Sequence, residues 1–111
     1  MVRLHPAPPI YLDILSSWYN QEMQVHIALY HWKDGAPQEK INDALSQIAA
    51  LEHKVDGIIE ISWARNESRY AEGYTHVILV RGRDAKALAD YRAHTDHGDA
   101  AKLIESMEEK G

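Results

Sequence analysis

The chain contains no cysteine, which excludes disulfides, thiolate metal sites and thiol catalysis. It also lacks a cluster of basic residues. Its 12 Lys and Arg against 17 Asp and Glu give a formal net charge of −5, whereas nucleic-acid binding requires a cationic face. No apolar run approaches the roughly 20 residues that span a bilayer, and residues 1–9 lack the apolar stretch of a signal peptide. We therefore expect no nucleic-acid partner, no membrane partner and a cytoplasmic location.

Several catalytic signatures are missing as well. The sequence has no G-x-S-x-G motif and no glycine-rich loop after a strand, so nothing supports nucleophilic catalysis or dinucleotide binding. A haem- or oxygen-using monooxygenase is disfavoured because the sequence contains no residue pattern typical of one. We therefore expect no cofactor.

The length and composition indicate one domain. At 111 residues and 45% apolar content, the chain can bury a single core. We divide it into an N-terminal extension, residues 1–24, and a domain, residues 25–111. In the extension the apolar spacing favours a short helix over residues 10–22 rather than a strand. Trp18 and Tyr19 in that helix predict docking on the domain or on a partner subunit.

The first half of the domain alternates between strand and helix patterns. A period of two over Val25–Trp32 predicts a strand with both faces mostly apolar. Apolar residues at helical spacing then predict a helix from about Pro37 to Asp56-Gly57, where the glycine can cap it. Ile58 to Arg65 follows as the second strand, with Ile59, Ile61 and Trp63 expected on one face.

The second half predicts a third strand over Tyr74–Arg81 and a helix from Ala85 to about Ala93, capped by Asp84. We expect a break at His94–Gly98 and a last helix capped by Asp99. This order predicts an α+β fold: a ferredoxin-like antiparallel sheet with helices on one face. The closing strand that usually follows the last helix is expected to be missing.

The histidines are the candidate catalytic residues. Seven occur in the chain, and His26 and His76 lie early in strands that we expect to be neighbours. Tyr91 and His97, from the following helix and loop, would lie over the same space. Such a cluster would suit general acid–base chemistry, because histidine exchanges protons near neutrality. The competing interpretation is that each histidine is a hydrogen-bonded structural residue, which is the commoner role.

A metal site is a weaker alternative. The pair His94-x-x-His97 could contribute two ligands, but no Asp or Glu pattern accompanies it. We therefore expect no metal.

Three segments together carry a family resemblance. His26-Ile-Ala-Leu-Tyr-His-Trp-Lys-Asp-Gly35, Gly73-Tyr-Thr-His-Val77 and Tyr91-x-x-His-x-x-His97 resemble the stress-responsive dimeric α/β-barrel family, whose members include a plant polyketide cyclase. The resemblance covers about residues 25–107. It implies a ferredoxin-like domain that pairs with a second copy through its sheet, so that the expected protein partner is the chain itself, as a homodimer.

The resemblance also implies roles for individual residues. His97 would be the general base, and Tyr91 would orient it or hydrogen-bond the substrate. His26 and His76 would shape the polar end of a pocket, with Tyr30 and Ile78 as further ligand contacts.

The chain departs from the family pattern at three points. Thr95 replaces a usual proline, Ile48 replaces a tyrosine, and the closing strand is expected to be absent. Its loss would expose a sheet edge, which proteins normally cover. The extension is therefore expected to cover that edge, or to dock on a partner subunit, through three apolar residues: Tyr11, Ile14 and Trp18.

Two functions follow. The first is a stress-responsive A/B barrel protein that binds a small apolar or phenolic ligand between sheet and helices. The alternative is a cofactor-independent cyclase or lyase that uses His97 and Tyr91.

Overall fold

A computed structural model describes residues 23–110, with side chains through Glu109. The expected helix over residues 10–22 and the docking of Tyr11, Ile14, Trp18 and Tyr19 lie outside the described residues.

The described residues form one antiparallel sheet with helices on one face, which confirms the predicted fold class. Four strands lie in the order β2-β3-β1-β4. The elements in chain order are β1 Gln24–Trp32, α1 Gln38–Ala49 with a 3-10 turn Ala50–His53, β2 Ile58–Arg65, β3 Tyr74–Gly82, α2 Ala85–Ala93, α3 Thr95–Met107 and β4 Glu108–Lys110.

Helix α1 supplies much of the core. Its apolar face is buried as its spacing predicts, and the 3-10 turn extends the buried row to Leu51. The regular helix ends before the predicted Gly57, because the chain tightens after Ala49. This turn brings the Glu52 carboxylate to β2, where it accepts the Ile61 N–H at 2.7 Å. Since β2 is an edge strand, this contact satisfies a donor that the edge would otherwise leave unpaired.

The side chains of strand β2 do not point to the faces that the sequence predicts. Its register against β3 shifts between Ile58 and Glu60. Because such a bulge inserts an extra residue, Ile58 and Ile61 both face the helices and are buried, whereas Ile59 is 44% exposed on the other face. The prediction that Ile59 shares a face with Ile61 is therefore wrong.

A closing strand is present, so the prediction that it is missing is wrong. Glu108 pairs with Trp32 and Lys110 with His31, at the edge of β1. The Lys33 N–H also donates to the Met107 carbonyl at 2.8 Å. The tripeptide Glu-Glu-Lys carries no strand signal because its residues have low β-propensity and do not alternate in polarity. Charged residues do suit an edge strand, because they oppose further pairing.

Helices α2 and α3 are joined by a single residue. Asp84 caps α2 as predicted, accepting the Ala87 N–H. The predicted break at His94–Gly98 is wrong, because α3 begins at Thr95. The His94 Nδ1 atom accepts the Asp96 N–H at 3.0 Å and so caps the helix. His97 therefore lies in the first turn of α3 and not in a loop.

Candidate functional site

The strand register separates His26 from His76. Both lie on the helix-covered face of neighbouring strands, as expected. However, β1 and β3 are antiparallel, so the start of one strand lies beside the end of the other. His26 pairs with Val80, and His76 pairs with Tyr30. The two histidine positions are therefore four residue steps apart along the strands, about 13 Å at ~3.3 Å per residue. The four expected residues do not form one cluster.

Tyr91 and His97 do come together. Their ring centroids lie 4.7 Å apart at an interplanar angle of 74°, in an edge-to-face contact. Tyr91 is 3% exposed and His97 is half-buried. The link through His94 turns the chain so that the last turn of α2 and the first turn of α3 are adjacent. This packing restricts the orientation of the His97 ring.

His26 belongs to the same group. Burial lowers the pKa of His97, and the nearby charges of His26 and Arg92 lower it further. The pKa of His26 is also lowered, first by burial and then by Arg92. Since both values start from 6.5, both rings are mainly neutral at pH 7. A neutral imidazole offers one acceptor nitrogen and one donor N–H.

Two tyrosines complete the group. Burial raises the pKa of Tyr91, with a further contribution from Tyr30. Burial also raises the pKa of Tyr30, and the carboxylate of Glu108 adds to the effect. Both hydroxyls therefore remain protonated at neutral pH and can donate hydrogen bonds. We name His26, Tyr30, Tyr91 and His97 the His/Tyr cluster.

The side-chain polar atoms of the His/Tyr cluster are free of hydrogen bonds to the described part of the chain. Between residues 23 and 109, no side-chain hydrogen bond involves any of its four members. Tyr91 and His97 are in ring contact, whereas His26 and Tyr30 join the cluster through their common, helix-covered face of β1 and their electrostatic influence on that pair. Its polar atoms can therefore engage a ligand without breaking a bond to these residues.

His76 occupies a different environment. It is 1% exposed, and its Nδ1 accepts the indole N–H of Trp32 at 3.0 Å, with the Thr75 hydroxyl at 2.9 Å. The ring packs near Trp63, with centroids 6.2 Å apart. Since Nδ1 is the acceptor, a neutral ring carries its proton on Nε2, and the Gln38 amide nitrogen 3.5 Å away is itself a donor that cannot accept this proton. The contact with Trp32 uses the Nδ1 atom of His76 for structure.

The other expected positions are parts of the core. Ile78 is 1% exposed and lies between Ala28 and Trp63 in the sheet. Tyr30 stacks on Trp32 with ring centroids 5.1 Å apart, so it links the His/Tyr cluster to the environment of His76. Ile48, at the position of the family's tyrosine, is 2% exposed in the core.

Sequence reasoning missed Arg92. It is exposed and directly follows Tyr91, and its charge acts on His26, Tyr91 and His97. The only sequence signal was its position next to a candidate residue, which is weak because exposed arginines are common.

Metal binding finds no support at this site. Among the described residues, no group of three or more His, Asp or Glu side chains is placed to hold a metal ion. His94, one half of the weak sequence motif, uses Nδ1 to cap α3.

A shallow pocket lies elsewhere, on the outer side of the helices. Gln47, Ala50, Lys54, Asp96 and Asp99 line it. Lys54 and Asp96 pair across it at 2.8 Å. None of the four His/Tyr cluster residues lines this pocket, so it is not the candidate site. No helix within residues 23–110 has both the length and the apolar character to cross a membrane.

The sheet order, the helices on one face and the His/Tyr cluster beneath them define a ferredoxin-like α+β domain with a polar aromatic site. The family model described as "Stress responsive A/B Barrel Domain" matches residues 25–110. The chain belongs to the stress-responsive A/B barrel domain family.

Two relatives come from Arabidopsis thaliana, and both are described as stress-response A/B barrel domain-containing proteins. The first is 29% identical over 81 residues, covering 71% of this chain and 74% of the relative. The second is 31% identical over 98 residues, covering 86% of this chain but only 37% of that longer relative. This chain therefore matches about a third of the second relative.

Solved structures share the fold. The crystal structure of At3g17210 from Arabidopsis thaliana is 27% identical, with a TM-score of 0.68 over 78% of this chain and 85% of that one. A dimeric ferredoxin-like protein of unknown function from Jannaschia sp. CCS1 is 21% identical, with a TM-score of 0.73 over 80% and 88%. A hydroxynitrile lyase from Passiflora edulis is 17% identical, with a TM-score of 0.70 over 79% and 85%. The last two show the fold alone.

Proposed function

We propose that this protein binds a small phenolic or otherwise mainly apolar ligand at the His/Tyr cluster. The observation that carries the proposal is the packed Tyr91–His97 pair, whose side-chain polar atoms have no hydrogen-bond partner among residues 23–109. Small-molecule sites typically combine apolar walls with a few oriented polar groups. Two neutral imidazoles and two tyrosine hydroxyls fit that description, because they can both donate to and accept from a phenol or a ketone.

A thermal-shift screen tests the binding proposal. Probes are resorcinol, 4-hydroxyacetophenone and the β-diketone acetylacetone, applied to the wild type, Tyr91→Phe and His97→Ala. A ligand at 100 times its Kd stabilises the native state by about 2.7 kcal/mol, which is readily visible. We expect a hit that weakens in Tyr91→Phe, where only a hydroxyl is lost, and disappears in His97→Ala.

A matched control is His53→Ala, because His53 ends the 3-10 turn after α1, with 84% of its side chain accessible. It should respond to each probe as the wild type does. Equal shifts in the wild type and both site variants would place the bound probe elsewhere and contradict the proposal.

A second candidate function is a cofactor-independent enzyme, cyclase- or lyase-like, with His97 as general base. The observation that favours it is the lowered pKa of His97, which leaves the ring neutral and able to accept a proton at pH 7. Its packing against Tyr91 fixes the direction of the accepting nitrogen. The lyase on the same fold adds no support for activity, because function does not follow from fold.

Proton abstraction can be measured without knowing the substrate. In D2O, the methyl protons of 4-hydroxyacetophenone exchange for deuterium once a base removes one of them, and NMR follows the loss of signal. We expect the wild type to accelerate exchange over buffer and His97→Gln to abolish the acceleration. Equal rates in the two proteins would rule out His97 as the base for this probe.

We also propose that the protein is a homodimer that pairs through the helix-free sheet face. Ile27, Leu29 and Ile59 are 51%, 43% and 44% exposed on that face. An apolar patch of this kind commonly marks an interface. The Jannaschia protein is described as dimeric. The division into a residue 1–24 extension and a residue 25–111 domain, and the cytoplasmic location, stay predictions.

A further inference from the structure

Strand β1 has an open edge along most of its length. On one side it pairs with β3 from Gln24 to His31. On the other side, among the described residues 23–110, its strand partner is the short β4, which pairs only with His31 and Trp32. Alternate residues of the stretch 24–30 therefore present unpaired backbone groups along that edge, which proteins normally cover.

The side chains beside this edge are less buried than their neighbours across the sheet. Three cross-strand pairs face the helices: His26–Val80, Ala28–Ile78 and Tyr30–His76. The β3 member of each pair is at most 1% exposed, whereas each β1 member is only half-buried. Trp32, where β4 pairs with β1, is buried again. We name the open edge over residues 24–30 and its three half-buried side chains the β1 margin.

The N-terminal extension leads directly into this margin. Its candidate helix, residues 10–22, is followed by Met23 and then by Gln24, the first residue of β1, so that the link holds the helix near the start of the strand. A helix over residues 10–22 is about 20 Å long at ~1.5 Å per residue. The strand from Gln24 to Tyr30 spans about 20 Å at ~3.3 Å per residue. The two lengths match.

The apolar face of the candidate helix also matches the β1 margin. Three residues share that face at helical spacing: Tyr11, Ile14 and Trp18. When the helix is laid back along β1 from Gln24, its rise brings these residues, in reverse order, beside the half-buried side chains of the margin. The resulting pairs are Trp18 with His26, Ile14 with Ala28, and Tyr11 with Tyr30.

We propose that residues 10–22 form a helix that lies antiparallel along the β1 margin of their own chain and completes the helix layer. The family model begins at residue 25, so this cover is a feature of this chain and lies outside the matched domain. Burial of the apolar face stabilises the contact, and the helix shields the β1 edge from strands of other molecules. The inference does not depend on ligand binding at the His/Tyr cluster.

Crosslinking tests this placement, because the chain has no cysteine of its own. The double variant Ile14→Cys/Ala28→Cys is treated with a short bis-maleimide and analysed by denaturing gel and peptide mapping. We expect an intramolecular crosslink between positions 14 and 28. The control is Asn20→Cys/Ala28→Cys, because position 20 falls on the opposite side of the candidate helix at about 100° per residue. It should give little crosslink.

Three outcomes of the crosslinking would overturn the proposal. The first is no crosslink between positions 14 and 28, and the second is an equal yield in the control pair. The third is a crosslink between two chains, which would show that the extension covers the β1 margin of a partner subunit instead.

Amide hydrogen exchange gives a second readout. Ile14→Asp places a charge in the contact, where burial is costly, whereas Asn20→Asp adds the same charge on the opposite side. We expect faster exchange over residues 24–30 in Ile14→Asp only, relative to residues 77–80 of β3, which has a strand on each side. Equal acceleration in both strands would indicate general destabilisation, and unchanged exchange over residues 24–30 would show an uncovered margin. Either result would overturn the proposal.

Discussion

At the scale of single residues, the histidines of the helix-covered face are of two kinds. The Nδ1 atom of His76 is engaged by Trp32 and Thr75. His97 packs on the Tyr91 ring, and neither His97 nor His26 has a side-chain hydrogen bond within residues 23–109. This difference predicts a structural role for His76 and ligand contact for the other two.

Replacing His76 by leucine should destabilise the fold strongly. The change leaves the buried Trp32 indole N–H without its acceptor, at a cost of about 1–3 kcal/mol. Urea unfolding monitored by tryptophan fluorescence measures the difference. The control is His53→Leu, on an exposed side chain, which should stay within about 0.5 kcal/mol of the wild type. Equal stability of His76→Leu and the wild type would show that the indole bond contributes nothing.

Stability should also fall as the pH drops below 7. Burial lowers the native-state pKa of His26, His76 and His97 below 6.5. The unfolded chain therefore binds more protons than the native state between each lowered pKa and 6.5, and the free energy of unfolding rises with pH across that window. Above about pH 7 these groups should add no further slope.

Urea unfolding at pH 5.5, 6, 7 and 8 measures this dependence. His76→Leu should flatten it, since one of the three groups is gone. A free energy of unfolding that does not change from pH 5.5 to pH 8 would contradict the lowered values.

At the scale of elements, the sequence predicted β1, β3, α1 and α2 well. Their periodicity is strong, and Asp84 is a good N-cap. It failed at both ends of α3 for physical reasons. Histidine is an uncommon N-cap residue, and the Gly98-Asp99 pair resembles the start of a helix. The closing strand is too short and too charged for its pairing with Trp32 and His31 to be read from its own residues.

Two glycine substitutions should have opposite signs. Gly73 has φ +87°, and a Cβ there would meet the His31 ring, so Gly73→Ala should destabilise by more than about 1 kcal/mol. Gly98 lies inside α3 and a Cβ there meets no atom within 4 Å. Gly98→Ala should therefore stabilise by roughly 0.5–1 kcal/mol.

Thermal or urea unfolding of both variants tests where α3 begins. If Gly98→Ala destabilises the protein, Gly98 is outside the helix, and the predicted break at His94–Gly98 would stand after all.

The candidate site was predicted in part. The motif around Tyr91 and His97 identified the pair that packs together. The grouping of His26 with His76 failed because spacing along a strand does not reveal which ends of antiparallel strands meet. The register in the sheet decides this, and it pairs His76 with Tyr30.

At the scale of the whole molecule, the two faces of the sheet differ in what covers them. Helices cover one face and the His/Tyr cluster, whereas the other exposes Ile27, Leu29 and Ile59. A single charge on this face should prevent pairing, because burying it without a partner is costly.

The prediction is that the wild type elutes as a dimer and Leu29→Glu as a monomer, measured by size-exclusion chromatography with light scattering. Tyr70→Ser is the control, since Tyr70 is 74% exposed in the β2–β3 loop, and it should remain dimeric. A monomeric wild type, or a dimeric Leu29→Glu, would contradict pairing through this face.

The central claim is that a small aromatic ligand binds at the His/Tyr cluster. The most direct measurement is an NMR titration of the histidine ring signals with resorcinol and 2,4-dihydroxybenzoate. The account predicts that His26 and His97 shift together and saturate with one Kd, while the exposed His53 does not move. Saturable shifts confined to other histidines, or no shift of His26 and His97 at saturating probe, would contradict it.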